Sequence, residues 1–294
     1  MRWWGSWCVV SLEYSKPNIF RLMKKLILCV SVAFTTALSY QYVAANENAK
    51  KETTETTSKT VATAPVSVDD HISKVYSEIN FGAKKLNFDV FKKAYYGYLN
   101  LRNEGKVNSN KNVLTVVDFS QPSSAHRLWV IDLNAKKLVI NDYVAHGQGS
   151  GDLYATKFSN TSNSHQSSLG FYVTDDIYFG KHGKSLRLRG MDQGYNSAAY
   201  ERAVVIHGAD YVSDDFVAGT KRLGRSWGCP AVSQNIKEQF IETVKEGTVL
   251  FVYAPQQDYL QSSQWLTKKV SKFPSTDRIV DNGAGSTSAV STIN

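Results

Sequence analysis

Large apolar side chains recur every three or four positions through Ile72, Val75 and Ile79, and again through Phe88, Phe91, Tyr95, Tyr98 and Leu101. This spacing predicts two amphipathic helices within 67–110, broken near Phe81-Gly82 and ended by Gly105. The aromatic stripe reads as a packing face rather than a ligand platform. From Val113 the period shortens to β-rich runs: Val113–Phe119, Arg127–Leu133, Lys137–Val144, Leu169–Thr174, Leu186–Arg189, Ala203–Ile206 and Thr248–Tyr253. Leu128–Asp132 and Leu138–Ile140, joined by a turn around Asn134-Ala135-Lys136, read as a hairpin. One helix interrupts the β pattern: Ser233 caps it, Ile236, Phe240, Ile241 and Val244 line one face, and Gly247 stops it. Residues 111–255 are therefore expected to form a mainly β (α+β) domain, with the helical segment docked on it. Residues 46–66, mostly Thr, Lys, Glu and Ala, bury too little to offset chain ordering and read as a disordered tether. After Pro255 the apolar density falls, and 256–294 reads as a mostly disordered tail.

The start of the chain has a different pattern. Met23-Lys24-Lys25, the apolar stretch Leu26 to Leu38 and Val43-Ala44-Ala45 form the charged, apolar and small-residue parts of a secretory signal over 23–45, cut after Ala45. Ser31, Thr35, Thr36, Ser39 and Gln41 dilute the apolar run below what a membrane span needs, so no stable membrane insertion is expected after signal removal. Residues 1–22 have no part in export and read as a mis-assigned start. Cys8 and Cys29 precede the cleavage point, so the exported protein keeps one cysteine, Cys229, and no internal disulfide.

Of the 294 residues, 42% are hydrophobic, which allows a sizeable core, and the formal charge is +8. Five basic side chains and one acidic one lie before residue 46, leaving 29 basic against 25 acidic. An excess of +4 with no basic-aromatic cluster gives no nucleic-acid partner.

Two segments carry candidate chemistry. His207 ends the apolar run Val204-Val205-Ile206, where a strand holds a side chain at a fixed place, and Cys229 follows a Ser226-Trp227-Gly228 turn. A thiol with its ordinary pKa of ~8.5 needs a base or positive surroundings to react at neutral pH. His207 is a candidate base, and Arg222 and Arg225 are candidate sources of positive potential. Gly228 permits a backbone shape that frees N–H groups for a developing oxyanion. Spacing alone leaves a buried structural thiol open as the other reading.

Ile206-His207-Gly208, followed by Ser226-Trp227-Gly228-Cys229, resembles the signature of the L,D-transpeptidase (YkuD-like) catalytic domain. The likeness runs from about Val113 to Ala254 and includes Val144–Gly151, Ser168–Val173 and Gly224–Pro230. The resemblance implies a β-sandwich catalytic domain acting on peptidoglycan stem peptides. In it Cys229 attacks an L-to-D peptide bond, a D-residue leaves, and the thioester passes to an amine or to water. It implies Cys229 as nucleophile, His207 as base, Ser226 as a residue orienting the histidine, and Gly228 and Cys229 as oxyanion donors; Gly208 and Trp227 join them as oxyanion or substrate-contact positions. Trp227 stands where His is common in the family, and Ala231 where Arg or Asn is common. The exported protein would work in the periplasm or cell envelope.

His146 and His165, in Gly/Ser-rich loops, are further candidates for the peptide groove, and the other reading is loop histidines bonded to backbone. His182, His126 and His71 rank below them. No cofactor and no metal are expected, since no His or Cys pair has tight ligand spacing. Asp210, Asp214 and Asp215 read as a solvated lid or turn. Arg187 and Arg189 share one side of their strand and meet either a substrate carboxylate or water. The alternatives to a transpeptidase are an L,D-carboxypeptidase of the same fold, a non-catalytic cell-wall-binding module and a thiol peptidase acting on proteins. The last is disfavoured because His207 precedes Cys229. If 46–66 is a tether, deleting it leaves the thermal midpoint and catalysis of the purified protein unchanged, and a fall of several degrees in a melting scan would contradict this.

Overall fold

A computed structural model describes residues 67–274. The start, signal and tether readings, and the tail beyond 274, lie outside the described residues. No helix among the described residues is long and apolar enough to cross a membrane.

Helix α1 spans Val68–Glu78, and the Ser67 hydroxyl caps it by accepting the Asp70 N–H. Helix α2 spans Phe88–Asn103, capped by Asn87, and ends where Gly105 takes φ +66°. As the aromatic spacing predicts, Phe91, Tyr95 and Tyr98 are buried and stack on one another at 5.5 and 5.6 Å. Gly97 lets this helix approach the sheet, because a Cβ there would lie 2.0 Å from the Phe171 ring.

Eight strands follow: β1 Val113–Asp118, β2 Leu128–Asp132, β3 Lys137–Asp142, β4 Gly170–Gly180, β5 Gly183–Gly190, β6 Val205–Gly208, β7 Ala231–Val232 and β8 Val249–Tyr253. They form one sheet in the order β3-β2-β1-β8-β4-β5-β6-β7, parallel only at β1/β8 and β6/β7. The sheet returns on itself, because Ala145, just past β3, pairs with Ala231 of β7 through an N–H···O bond of 2.8 Å. The domain is thus mainly β, as the pattern predicts, and a barrel-like sandwich with a few helices, in line with the sandwich that the resemblance implies. Seven strands match the expected runs. The two-residue β7 is too short to show a period, and β4 runs past Thr174 through an irregularity between Thr174 and Ile177.

The other predicted helix is α4, Gln234–Val244, capped by Ser233, with Phe240, Ile241 and Val244 buried. Two expectations are corrected. The Asp210–Asp215 segment is not merely a solvated turn: Ser213 caps a short helix, α3, Asp214–Thr220, whose first turn holds Asp214 and Asp215. Residues 256–274 are not a disordered tail, for α5 (Gln257–Ser262) and α6 (Gln264–Thr267) pack on the domain. The fastening is tertiary. Buried Asp192 accepts bonds from Phe171 N–H, Ser263 Oγ and Tyr259 OH, while buried Trp265 donates its indole N–H to Met191 O at 2.7 Å. Trp265→Ala should lower stability by about 3 kcal/mol. A urea titration checks this, and an unchanged midpoint would show that the C-terminal helices are passengers.

Candidate active site

His207 lies on β6, almost wholly buried, with its Nδ1 3.0 Å from the Gly208 carbonyl. A carbonyl only accepts, so Nδ1 carries the proton and Nε2 holds a lone pair. Burial pushes its pKa down; the Gly208 carbonyl opposes this, and His182 and Lys181 add to it. The imidazole is therefore neutral at neutral pH. His182 stacks on it, ring centroids 4.3 Å apart.

Cys229 is partly exposed beside the start of the same strand. Its Sγ accepts the Val205 N–H at 3.5 Å and faces Ala203 O at 3.7 Å. Burial raises the thiol pKa, against the Val205 N–H, Arg202 and Lys181. The fold sets Cys229 beside Val205 at the start of β6 and His207 two residues further along the same strand, where His207 pairs with Ala231, two residues past the cysteine. Their side chains are not hydrogen-bonded to each other; the thiol points at the Ala203 carbonyl.

The turn that carries the thiol is rigid. Ser226 Oγ donates to Cys229 O at 2.6 Å and accepts the Gly228 N–H at 3.0 Å. Ser226 N–H reaches His146 O, and Gln148 N–H reaches Ser226 O. Gly228 has φ +125°, and a Cβ there would meet Gln166 O at 2.8 Å. Two expectations change. Ser226 does not orient His207, because its hydroxyl is spent inside the turn and the Gly208 carbonyl does the orienting. Gly228 N–H is not an oxyanion donor, being held by Ser226, whereas Cys229 N–H donates to nothing among the described residues.

His146 and His165 separate. His146 is fully buried. Its Nδ1 accepts from Arg127 at 2.8 Å, and burial together with that guanidinium brings its pKa down to about 4. It holds up the loop whose carbonyl receives Ser226 N–H. His165 does flank the turn, stacked on Trp227 at 5.0 Å and bonded to Gln148. Trp227 is 68% exposed, and the Lys181 ammonium lies 5.3 Å from its ring. Elsewhere, His71 stacks on Phe273 and His126 meets the Tyr143 ring edge-on.

Arg222 and Arg225 both pair with Asp152, so the cations acting on the thiol are Arg202 and Lys181 instead. Arg202 donates to Ser159 O, Ser168 Oγ and Gln166 O, bracing the loop under Gly228. Sequence reasoning missed Arg202 and Lys181 and ranked His182 low. An arginine in a polar stretch and a hairpin tip carry no motif; His182 beside a Gly-Lys/Gly turn was the one available cue. Among the described residues no group of three His, Cys, Asp or Glu is placed to hold a metal ion.

A family model for the L,D-transpeptidase catalytic domain matches residues 82–253, more than half of the chain, and the chain belongs to that family. Among solved structures it is similar to an L,D-transpeptidase from Mycobacterium smegmatis, at 16% identity over 49% of this chain and 59% of that one, with a TM-score of 0.31. It is also similar to one from Mycobacterium tuberculosis H37Rv (14% identity, 49% and 58% coverage, TM-score 0.29) and one from Xylanimonas cellulosilytica (12%, 62% and 91%, 0.28). The chain thus spans about three-fifths of the length of the two mycobacterial proteins. No curated protein matches it.

Because burial raises the Cys229 thiol, alkylation of the free protein by iodoacetamide should have its half-maximal rate above the ordinary thiol value of ~8.5. A midpoint below pH 7 would mean a preformed thiolate that this arrangement does not hold.

Proposed function

We propose that the protein is an exported, cysteine-dependent peptidoglycan L,D-transpeptidase that transfers acyl groups on stem peptides through a thioester at Cys229. The observation carrying this reading is a neutral His207 with Nε2 unprotonated on the same short strand, two residues along from Val205, whose N–H meets a partly exposed Cys229 thiol; the cysteine's own backbone N–H has no partner among the described residues. Family membership supports the reaction class. Export is supported by the charged, apolar and small-residue order of 23–45 and fits a chain left with one cysteine.

The chemistry follows from these groups. Turning Sγ away from Ala203 O lets Nε2 of His207 take the thiol proton. The sulfur attacks the carbonyl of the L-to-D bond, and the oxyanion meets Cys229 N–H. As the C–N bond breaks, the imidazolium returns the proton to the departing amine, leaving the thioester. An amine acceptor completes transpeptidation by the reverse sequence, and water gives the carboxypeptidase reaction. A resting thiol rather than a thiolate limits reaction with other electrophiles before substrate is seated.

Incubation with disaccharide-tetrapeptide, read by mass spectrometry, tests this. A cross-linked dimer means transpeptidase and a tripeptide means carboxypeptidase; no turnover of any stem peptide overturns both and favours the wall-binding module. A carbapenem should add once, at Cys229, and Cys229→Ser should abolish the adduct with the fold intact. His207→Ala should slow acylation by about 10²- to 10⁴-fold at neutral pH, with partial recovery toward pH 8.5 and above.

A further inference from the structure

The strand register extends the site sideways. Ser185 of β5 lies opposite His207 and Arg187 opposite Val205, while Tyr178 of β4 lies opposite Ser185. Directly opposed residues of antiparallel strands project to the same face. Arg187 and Tyr178 therefore share the face of His207, and Arg187 neighbours the residue whose N–H touches Cys229 Sγ.

The Arg187 guanidinium is held over rings, 4.7 Å from the centre of Tyr178 and 5.5 Å from that of Tyr200. It forms no ion pair and donates no hydrogen bond among the described residues. The nearby arginines are committed: Arg189 to Asp175, Arg222 and Arg225 to Asp152, and Arg202 to the loop under Gly228. Lys181 also has no ion pair among the described residues, but it is an exposed point charge at a hairpin tip and offers no planar fork. Arg187 is half-buried and kept flat by two tyrosines, with its donors open. That arrangement suits a carboxylate.

We propose that Arg187 is a specificity-determining residue that receives the terminal carboxylate of the departing D-residue of the acyl donor. The inference rests on acyl transfer at Cys229. In a donor ending in that residue, the carboxylate carbon is three bonds beyond the attacked carbonyl carbon; the thiol rests against Val205 of β6, and β5 lies about 4.8 Å further across the sheet, a span that these three bonds and the long arginine side chain cover together. Tyr178 and Tyr200 limit the guanidinium's freedom, which lowers the ordering cost of the ion pair.

The test compares the wild type, Arg187→Met and Arg187→Lys on two donors, a disaccharide-tetrapeptide with a free terminal carboxylate and the same compound as its terminal carboxamide. Alkylation of Cys229 by neutral iodoacetamide is measured in parallel. Arg187→Met should lower kcat/KM for the carboxylate donor by about 10- to 100-fold, change the carboxamide donor by less than about twofold, and leave alkylation unchanged. Arg187→Lys should fall between the two, keeping the charge but losing the fork. Equal losses on both donors, or a parallel fall in alkylation, would show that Arg187 acts through the fold and overturn the anchor. No loss on either donor would also overturn it while leaving the enzyme reading in place. A wild type that turns over neither donor removes both.

Discussion

The arrangement around Cys229 depends on the closure of the sheet between Ala145 and Ala231. This one bridge joins the far end of β3 to the short strand directly after Cys229-Pro230. Without it, β7 would be a two-residue edge held only by β6, too short to fix the loop before it. With it, the chain from 145 to 151 lies along 225–231, and the bonds from Ser226 N–H to His146 O and from Gln148 N–H to Ser226 O continue the same seam. The thiol is mounted where two ends of one sheet meet.

Much of the surrounding polarity serves that seam. Arg127, fully buried, donates to Val144 O, Gln121 O and His146 Nδ1 and lies 4.7 Å from the Phe119 ring. Buried cations are costly unless they are hydrogen-bonded, and here backbone carbonyls and a neutral histidine meet all three guanidinium nitrogens. Ser167 does similar work from the next loop, bonding to Gly147 N–H and Gly228 O. Many residues thus hold the short Ser226–Cys229 turn in place.

The elements legible in the sequence were those with a local cause. Helices α1, α2 and α4 show three-to-four spacing with Ser or Asn at their starts, and β1, β2 and β8 show runs of branched and aromatic residues. His207 and Cys229 were legible because a strand end and a Gly turn are recognisable mounts. What was illegible has a tertiary cause. The C-terminal helices are fastened by Asp192, sixty-five residues or more before them, so their weak local pattern says little. The group orienting His207 is a backbone carbonyl, which has no letter of its own. Ser226 drew attention as a side chain near the cysteine, yet its hydroxyl bonds within three residues of itself. His146 looked like a groove residue from its Gly-rich loop, and only the buried Arg127 explains its place.

The centre of the sheet joins the two extremes of the domain: β1 lies parallel to β8, with Leu114 opposite Val249 and Asp118 opposite Tyr253. Every other strand and α4 lie between them in the chain. A nascent polypeptide can form α1, α2 and the β1–β2–β3 meander as they emerge, but the other edge of β1 finds its neighbour, β8, only when the last strand is made. Folding is therefore a late, collective event with high contact order, and an incomplete chain exposes an open strand edge to its own copies in the meantime.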